Sequence, residues 1–189
     1  MKLTILETGL PPQAMQNDWP RYPAMFDALI GPHLPGLTCE SVAVSQGEPF
    51  PDLEEVEALL VTGSAAGVYE QHDWMGPLLN TIQRAAAKGV PQIGVCFGHQ
   101  IIAQALGGKV IKYPGGWSVG RTEYDLDGET FALNAWHQDQ VTEVPQGAEV
   151  IGKSDFCAHA ALVYDDRILT IQPHPEFGPD IVEDLIRLR

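Results

Sequence analysis

One cysteine, one histidine and one glutamate in this 189-residue sequence have types and spacing that could together do covalent chemistry. The segment Gly94-Val95-Cys96-Phe97-Gly98-His99-Gln100 holds a G-x-C-x-G turn between an apolar run, Gln92 to Val95, and a helical stretch that starts at Phe97. This is the layout of a nucleophile elbow, with sulfur in place of the usual hydroxyl. A sharp strand-to-helix turn crowds the backbone, so the residues two before and two after its apex must be small. A thiol at the apex stands where unpaired N–H groups and the helix dipole favour thiolate. A lone cysteine is more often inert packing, but the strand, the paired glycines and the helix together argue for a reactive Cys96.

A nucleophilic thiol needs a base. Among six histidines, His174 stands out in Ile171-Gln172-Pro173-His174-Pro175-Glu176, at the end of a strand-like run with prolines fixing the backbone on both sides. In extended chain, residues i and i+2 point the same way, so the Glu176 carboxylate can sit beside the imidazole, orient it and stabilise its protonated form. Read alone, the segment could equally be a surface His-Pro turn. Its distance from Cys96 in sequence is no obstacle, because the carboxyl ends of strands in one parallel sheet meet along one edge.

The two motifs GVCFGHQ and QPHPEF, in this order and spacing, resemble the class I, triad-type glutamine amidotransferases, and among them the stand-alone proteins similar to the amidotransferase domain of GMP synthase. The resemblance runs over nearly the whole chain. It implies that Cys96 is the nucleophile, His174 the general base and acid, and Glu176 the orienting carboxylate. The implied chemistry is attack on the side-chain amide of glutamine, release of ammonia, and hydrolysis of a γ-glutamyl thioester. Leu60-Val61-Thr62-Gly63-Ser64-Ala65 stands where the family has a strand and a Gly-Gly-Pro turn, which implies substrate contact at Gly63 and oxyanion donors at the N–H groups of Ser64 and Phe97. A backbone donor survives the change to serine, whereas a positive φ there would be strained. Gln100 matches the family's glutamine-contacting residue; its other reading is a helix polar group satisfied by a neighbouring loop. Asn134 to Val141 resembles the family's Ser-His-Gly-Asp-x-Val segment and implies substrate contacts at Trp136, His137, Gln138 and Asp139. His137 and Asp139 match, while Trp136 and Gln138 are bulkier than the family's residues. The loop Gly115 to Gly120 is expected to border the same pocket, with Trp117 as its wall or as a core anchor.

Three functions follow in order of preference. The first is amidotransferase or glutaminase-type hydrolysis of glutamine, with any acceptor-modifying synthetase supplied in trans. The second is a stand-alone γ-glutamyl peptidase or hydrolase with the same triad, which the bulky residues around His137 favour. The third is a non-catalytic or redox-sensing stress protein of the same fold, against which the orienting carboxylate argues. No metal or cofactor is expected: His72 with Asp73, and His159 near Cys157, lack the ligand spacing of a zinc site, and Gly63-x-x-x-Gly67 is neither a Walker loop nor a dinucleotide turn.

These residues need a scaffold. Short apolar runs alternate with helical stretches through the first half: strands at Leu3 to Glu7, Val42 with Val44, Ala58 to Thr62 and Gln92 to Val95, and helices at Tyr22 to Ile30, Trp74 to Lys88 and Phe97 to Leu106. That order predicts βαβ units around a parallel sheet. Later runs at Val110 to Tyr113, Arg121 to Leu126, Thr130 to Leu133, Val150-Ile151, Ala160 to Val163 and Ile168 to Ile171 are strand-like between turns, and a helix covers Asp180 to Arg189. The expectation is one domain over residues 1–189, a three-layer α/β/α fold with a flavodoxin-like, mostly parallel sheet and added antiparallel strands. A chain that stops inside an amphipathic helix suggests a missing C-terminal extension. Lys plus Arg number 11 against 25 Asp plus Glu, a net charge of −14, which repels nucleic acid and anionic lipid. Three scattered cysteines, Cys39, Cys96 and Cys157, offer no disulfide framework and fit a reducing cytoplasm. The sequence contains no run of about 18 apolar residues that could span a membrane.

Overall fold

The computed structural model describes residues 1–188. The first half alternates strand and helix: β1 (Lys2–Leu6), α1 (Tyr22–Ile30), β2 (Thr38–Val42), β3 (Ala58–Val61), α2 (Met75–Ala87), β4 (Gln92–Val95) and α3 (Phe97–Ala105). The second half is strand-rich: β5 (Lys109–Lys112), β6 (Ser118–Leu126), β7 (Glu129–His137), β8 (Asp139–Glu143), β9 (Ala148–Lys153), β10 (Ala161–Tyr164) and β11 (Ile168–Ile171), followed by α4 (Pro179–Arg187).

Nine strands form one sheet in the order β2-β1-β3-β4-β11-β10-β9-β6-β7, and β5 pairs with β8 in a separate ribbon. β2, β1, β3, β4 and β11 are parallel, and β10, β9, β6 and β7 continue the sheet antiparallel. Helices cover both faces of the parallel part, so its central strands are buried throughout and read as continuous apolar runs. Leu3 and Ile5 of β1, with Ala58 and Leu60 of β3, pack against Phe26 of α1. Leu6, Leu59 and Val61 point to the opposite face, onto Leu78 and Ile82 of α2 and Phe97 and Ile101 of α3. Each such fully buried side chain contributes about 1.5–3 kcal/mol of transfer free energy. α4 docks through Ile181, Val182 and Leu185 onto Met15 and Met25, beside Phe177.

The structure departs from the sequence expectations in three places. Val44 lies in a short 3-10 turn, Val44–Gln46, rather than in β2, and its side chain joins the core with Leu6 and Leu53. Alternation of Val42 with Val44 mimicked a strand because the true β2, at the sheet edge, is mostly exposed. β6 and β7 run nine residues each, longer than expected, around a two-residue turn in which Asp127 and Gly128 have φ of 53° and 85°; such turns match the twist of paired strands. β8 has no counterpart among the sequence-predicted strands. Arg189, within the expected last helix, lies outside the described residues. Among the described residues, no helix is long and apolar enough to cross a membrane.

Strand register brings the site together. Leu6 pairs with Val61, Val61 with Gly94 and Val95 with Ile171, so the segments leaving β1, β3, β4 and β11 emerge side by side on one sheet edge.

Candidate active site

The elbow at Cys96 is built by backbone sterics. Its N–H donates to the Ile171 carbonyl at 2.9 Å, ending the ladder between β4 and β11. The chain then turns with φ 54° and ψ −104° at Cys96 and enters α3. A non-glycine residue held there costs about 1–3 kcal/mol, and the neighbours make it tolerable. A Cβ at Gly94 would lie 2.6 Å from the Gly98 carbonyl oxygen, and one at Gly98 would collide with the Val61 carbonyl. Both glycines of the motif are therefore required by close backbone approach. The thiol points toward the Trp136 carbonyl, 3.9 Å away.

His174 reaches the same point from β11. Its backbone N–H donates to the Asn134 carbonyl at 2.8 Å, and the Asn134 side chain donates to the Phe177 carbonyl at 2.8 Å, so β7 clamps the histidine segment. The imidazole Nδ1 lies 2.8 Å from Oε1 of Glu176, both side chains almost fully buried. Cys96 is within hydrogen-bonding reach of the ring. Burial alone would lower the pKa of His174, but the neighbouring Cys96 and Glu176 outweigh it and move it upward. The ring is stacked on Phe177, centroids 4.0 Å apart and planes 4° off parallel. Gly63 also approaches the ring: a Cβ there would be 3.1 Å from His174 Cε1 and 3.9 Å from Cys96 Cβ.

The segments expected to hold substrate surround this centre. Among the described residues, the non-glycine residues with positive φ are Cys96, Asp127 and Asp165, so Ser64 takes an ordinary backbone conformation. Its hydroxyl accepts from the Ala66 N–H at 3.2 Å. Phe97 is the first residue of α3, a position whose N–H has no partner within the helix, and its ring packs edge-on to Trp74 at 5.8 Å. Both N–H donors of Gln100 are engaged, by the Asp139 carbonyl at 2.9 Å and by Gln172 Oε1 at 3.0 Å. The satisfied-helix reading of Gln100 thus holds for its nitrogen, and its carbonyl oxygen is the end that could meet a ligand's ammonium. His137 Nδ1 donates to the Asp139 carbonyl at 3.2 Å, and burial lowers its pKa to about 4, which keeps the ring neutral. Gln138 donates to the Tyr113 carbonyl at 3.1 Å.

A cavity of about 570 Å³ opens over Cys96 and His174, and Gly63, Ser64, Gln100, Trp136, His137, Gln138 and Asp139 all line it. Trp117 lines it too, edge-on to Trp136 at 6.4 Å. Sequence reasoning missed several residues of its wall. Tyr22 stands at the start of α1, near enough to Cys96 and Glu176 for their charges to push its phenol upward, after the larger effect of burial. Tyr69 hydrogen-bonds Asp139 and is pushed up to about 12 by burial, that bond and the carboxylate charge. Lys112 is the cross-strand partner of Asp139 in the β5–β8 ribbon. Leu185 and Leu188 arrive from α4 and its end. None of these has a local motif; each is placed by contacts far apart in sequence. No cluster of His, Cys, Asp and Glu among the described residues could hold a metal ion.

Similar proteins fit this architecture. The profile of glutamine amidotransferase class-I matches residues 34–184. A glutamine amidotransferase-like protein of Schizosaccharomyces pombe is 33% identical over 76% of this chain and 60% of its own length. Gamma-glutamyl peptidase 4 of Arabidopsis thaliana is 32% identical over 87% of this chain and 71% of its own. The crystal structure of a glutamine amidotransferase from Methylobacillus flagellatus superposes with a TM-score of 0.76, at 26% identity, covering 98% of this chain and 74% of that one. The chain thus spans about 60% of the length of the first of these relatives. With the elbow, the parallel sheet and the family profile in agreement, the chain belongs to the class-I glutamine amidotransferase family.

Proposed function

We propose that the protein hydrolyses the γ-amide of glutamine or of another γ-glutamyl compound through a Cys96-His174-Glu176 triad. The observation that carries this reading is the imidazole held between two groups, Nδ1 on Glu176 at 2.8 Å and its far side toward Cys96. Nδ1–H donates to the carboxylate, so Nε2 carries the lone pair that accepts the thiol proton. Cys96 Sγ attacks the γ-carbonyl carbon, and the oxyanion forms between the N–H groups of Ser64 and Phe97. Two such preorganised donors lower the barrier by several kcal/mol, about 2.7–4 for each. His174 passes its proton to the departing nitrogen as the C–N bond breaks. Water, deprotonated by His174, then cleaves the thioester and frees the γ-carboxylate. Gly63, Gln100, His137, Gln138 and Asp139 line the place where the glutamyl part would sit, with the Trp136 carbonyl beside Cys96 at the junction with the rest of the cavity.

A γ-glutamyl peptidase or hydrolase with the same triad is the second reading. It is favoured by the cavity, whose volume of about 570 Å³ is in the range of pockets that take drug-sized ligands, about 300–1,000 Å³. In the amidotransferase reading, a synthetase partner in trans consumes the ammonia. Purified protein incubated with glutamine, then with γ-glutamyl dipeptides, separates the two through ammonia, glutamate and amine release. Cys96→Ala and His174→Ala are expected to lose turnover with every substrate; undiminished activity in Cys96→Ala overturns the triad.

A further inference from the structure

We propose that the preferred substrates are γ-glutamyl amides whose amine part is apolar or aromatic, with Tyr22, Trp136, Leu185 and Leu188 forming the subsite for that part. The inference rests on the hydrolysis at Cys96 proposed above.

The lining of the cavity around Cys96 falls into two chemically unlike groups, which we assign to its two ends. At one end stand Gln100, Gln138 and Asp139, with Lys112 paired to Asp139 across the ribbon and the Tyr69 phenol on its carboxylate. Opposite charges on neighbouring strands suit the ammonium and carboxylate of an amino-acid head. The other end is apolar. His174 stacks on Phe177, Phe177 lies 6.1 Å from Tyr22, and Trp136 packs into the same cluster with Leu185.

Proton transfer assigns the two ends. Glu176 occupies Nδ1 of His174, so the nitrogen that leaves must face Nε2. Whatever that nitrogen carries then extends along the histidine side of the cavity, toward Tyr22, Trp136 and the end of α4. Ammonia leaving from glutamine puts nothing there, and water against ring and leucine surfaces gains little. An apolar amine fills the space, and such a group in a hydrophobic pocket is worth about 10- to 200-fold in specificity. Two large side chains at this rim are nearly half exposed, Trp117 at 46% and Leu188 at 48%, a wall that an apolar occupant would cover.

The test compares γ-glutamyl benzylamide with γ-glutamyl methylamide, which share the scissile bond and differ in the amine. The wild-type protein is expected to show kcat/KM at least 10-fold higher for the benzylamide. Leu188→Asp should cut that ratio about 3- to 10-fold, while Ile186→Ser, an exposed change on the same helix outside the cavity wall, keeps it. A wild-type ratio of one or below, or a ratio unmoved by Leu188→Asp, overturns the subsite and leaves hydrolysis at Cys96 standing. Absence of turnover with both amides would instead sink the hydrolytic reading. The subsite is then judged by ligand quenching of tryptophan fluorescence in Cys96→Ala: benzylamide binding at least 10-fold tighter than methylamide supports it, and equal binding overturns it.

Discussion

His174 and Glu176 form a buried pair in which imidazole Nδ1 and carboxylate Oε1 are 2.8 Å apart, on a turn that the Phe177 N–H closes onto the His174 carbonyl at 3.4 Å. Burial makes this pair an orienting device, since a buried carboxylate beside a ring nitrogen fixes both tautomer and rotation. Glu176→Gln keeps the shape but can present its amide N–H to Nδ1, which selects the wrong tautomer. The expected result is a fall in kcat of about 100- to 10,000-fold with KM little changed. Steady-state kinetics on the best γ-glutamyl substrate decides it; a loss confined to KM would assign Glu176 to binding instead.

The His174 ring is also packed closely, stacked on Phe177 and with its Cε1 against the bare backbone of Gly63. Gly63→Ala places a methyl 3.1 Å from Cε1, so the ring must give way by a few tenths of an ångström. A misplacement of about 1 Å at a reacting centre can cost about 100-fold, so this smaller shift is expected to lower kcat by about 3- to 30-fold while the melting temperature moves little. Gly98→Ala should behave differently. Its methyl meets the Val61 carbonyl in β3, backbone that cannot give way, so thermal melting should reveal lost stability. Equal melting temperatures for wild type and Gly98→Ala would contradict the steric account of the elbow.

How far the sequence could be read follows from the range of the interactions. β4, the elbow glycines and α3 were legible because one short segment carries the apolar run, the close approaches and the helix start. The His174–Glu176 pair was legible from its two-residue spacing, although a turn closed by the Phe177 N–H, and not the expected extended chain, brings the two side chains together. Tyr22, Lys112 and Leu188 were not, because only the meeting of α1, the β5–β8 ribbon and α4 over one sheet edge makes them neighbours. Val44 misled by alternation, since a buried valine in a 3-10 turn and one in an edge strand leave the same local pattern. Gln100 had two readings in sequence, and its side-chain nitrogen follows the helix-polar one, bonded to the Asp139 carbonyl and to Gln172.

The oxyanion assignment predicts a contrast at position 64. Ser64→Gly retains the N–H and is expected to hold kcat within about threefold. Ser64→Pro removes the donor and should lower kcat by about 100- to 1,000-fold, the usual cost of losing one such group. Affinity of the Cys96→Ala background for the substrate should survive both changes, because the donor acts on charge that develops after binding. Comparable kcat for the glycine and proline variants would remove Ser64 from the oxyanion hole.

Two other histidines set the acid limit of the fold. Burial holds His99 at about 3 and His137 at about 4, and each is neutral in the native protein. His99 is fixed by Nδ1 at 2.8 Å from the Thr170 hydroxyl. In the unfolded chain both return to about 6.5. Below that pH the unfolded state takes up protons that the native state refuses, so stability falls as pH drops. Each histidine contributes a slope of up to about 1.4 kcal/mol per pH unit. The loss from His137 ends near pH 4 and that from His99 near pH 3, where the native rings themselves protonate. Against a total stability of about 5–15 kcal/mol for a domain, two such slopes acting over two pH units remove much of the margin. His99→Asn keeps a polar group beside Thr170 but binds no proton, so urea midpoints measured from pH 6.5 to 4.5 should fall about half as steeply as in wild type. An unchanged slope would mean that His99 is protonated in the native state, and would move the acid sensitivity to the carboxylates.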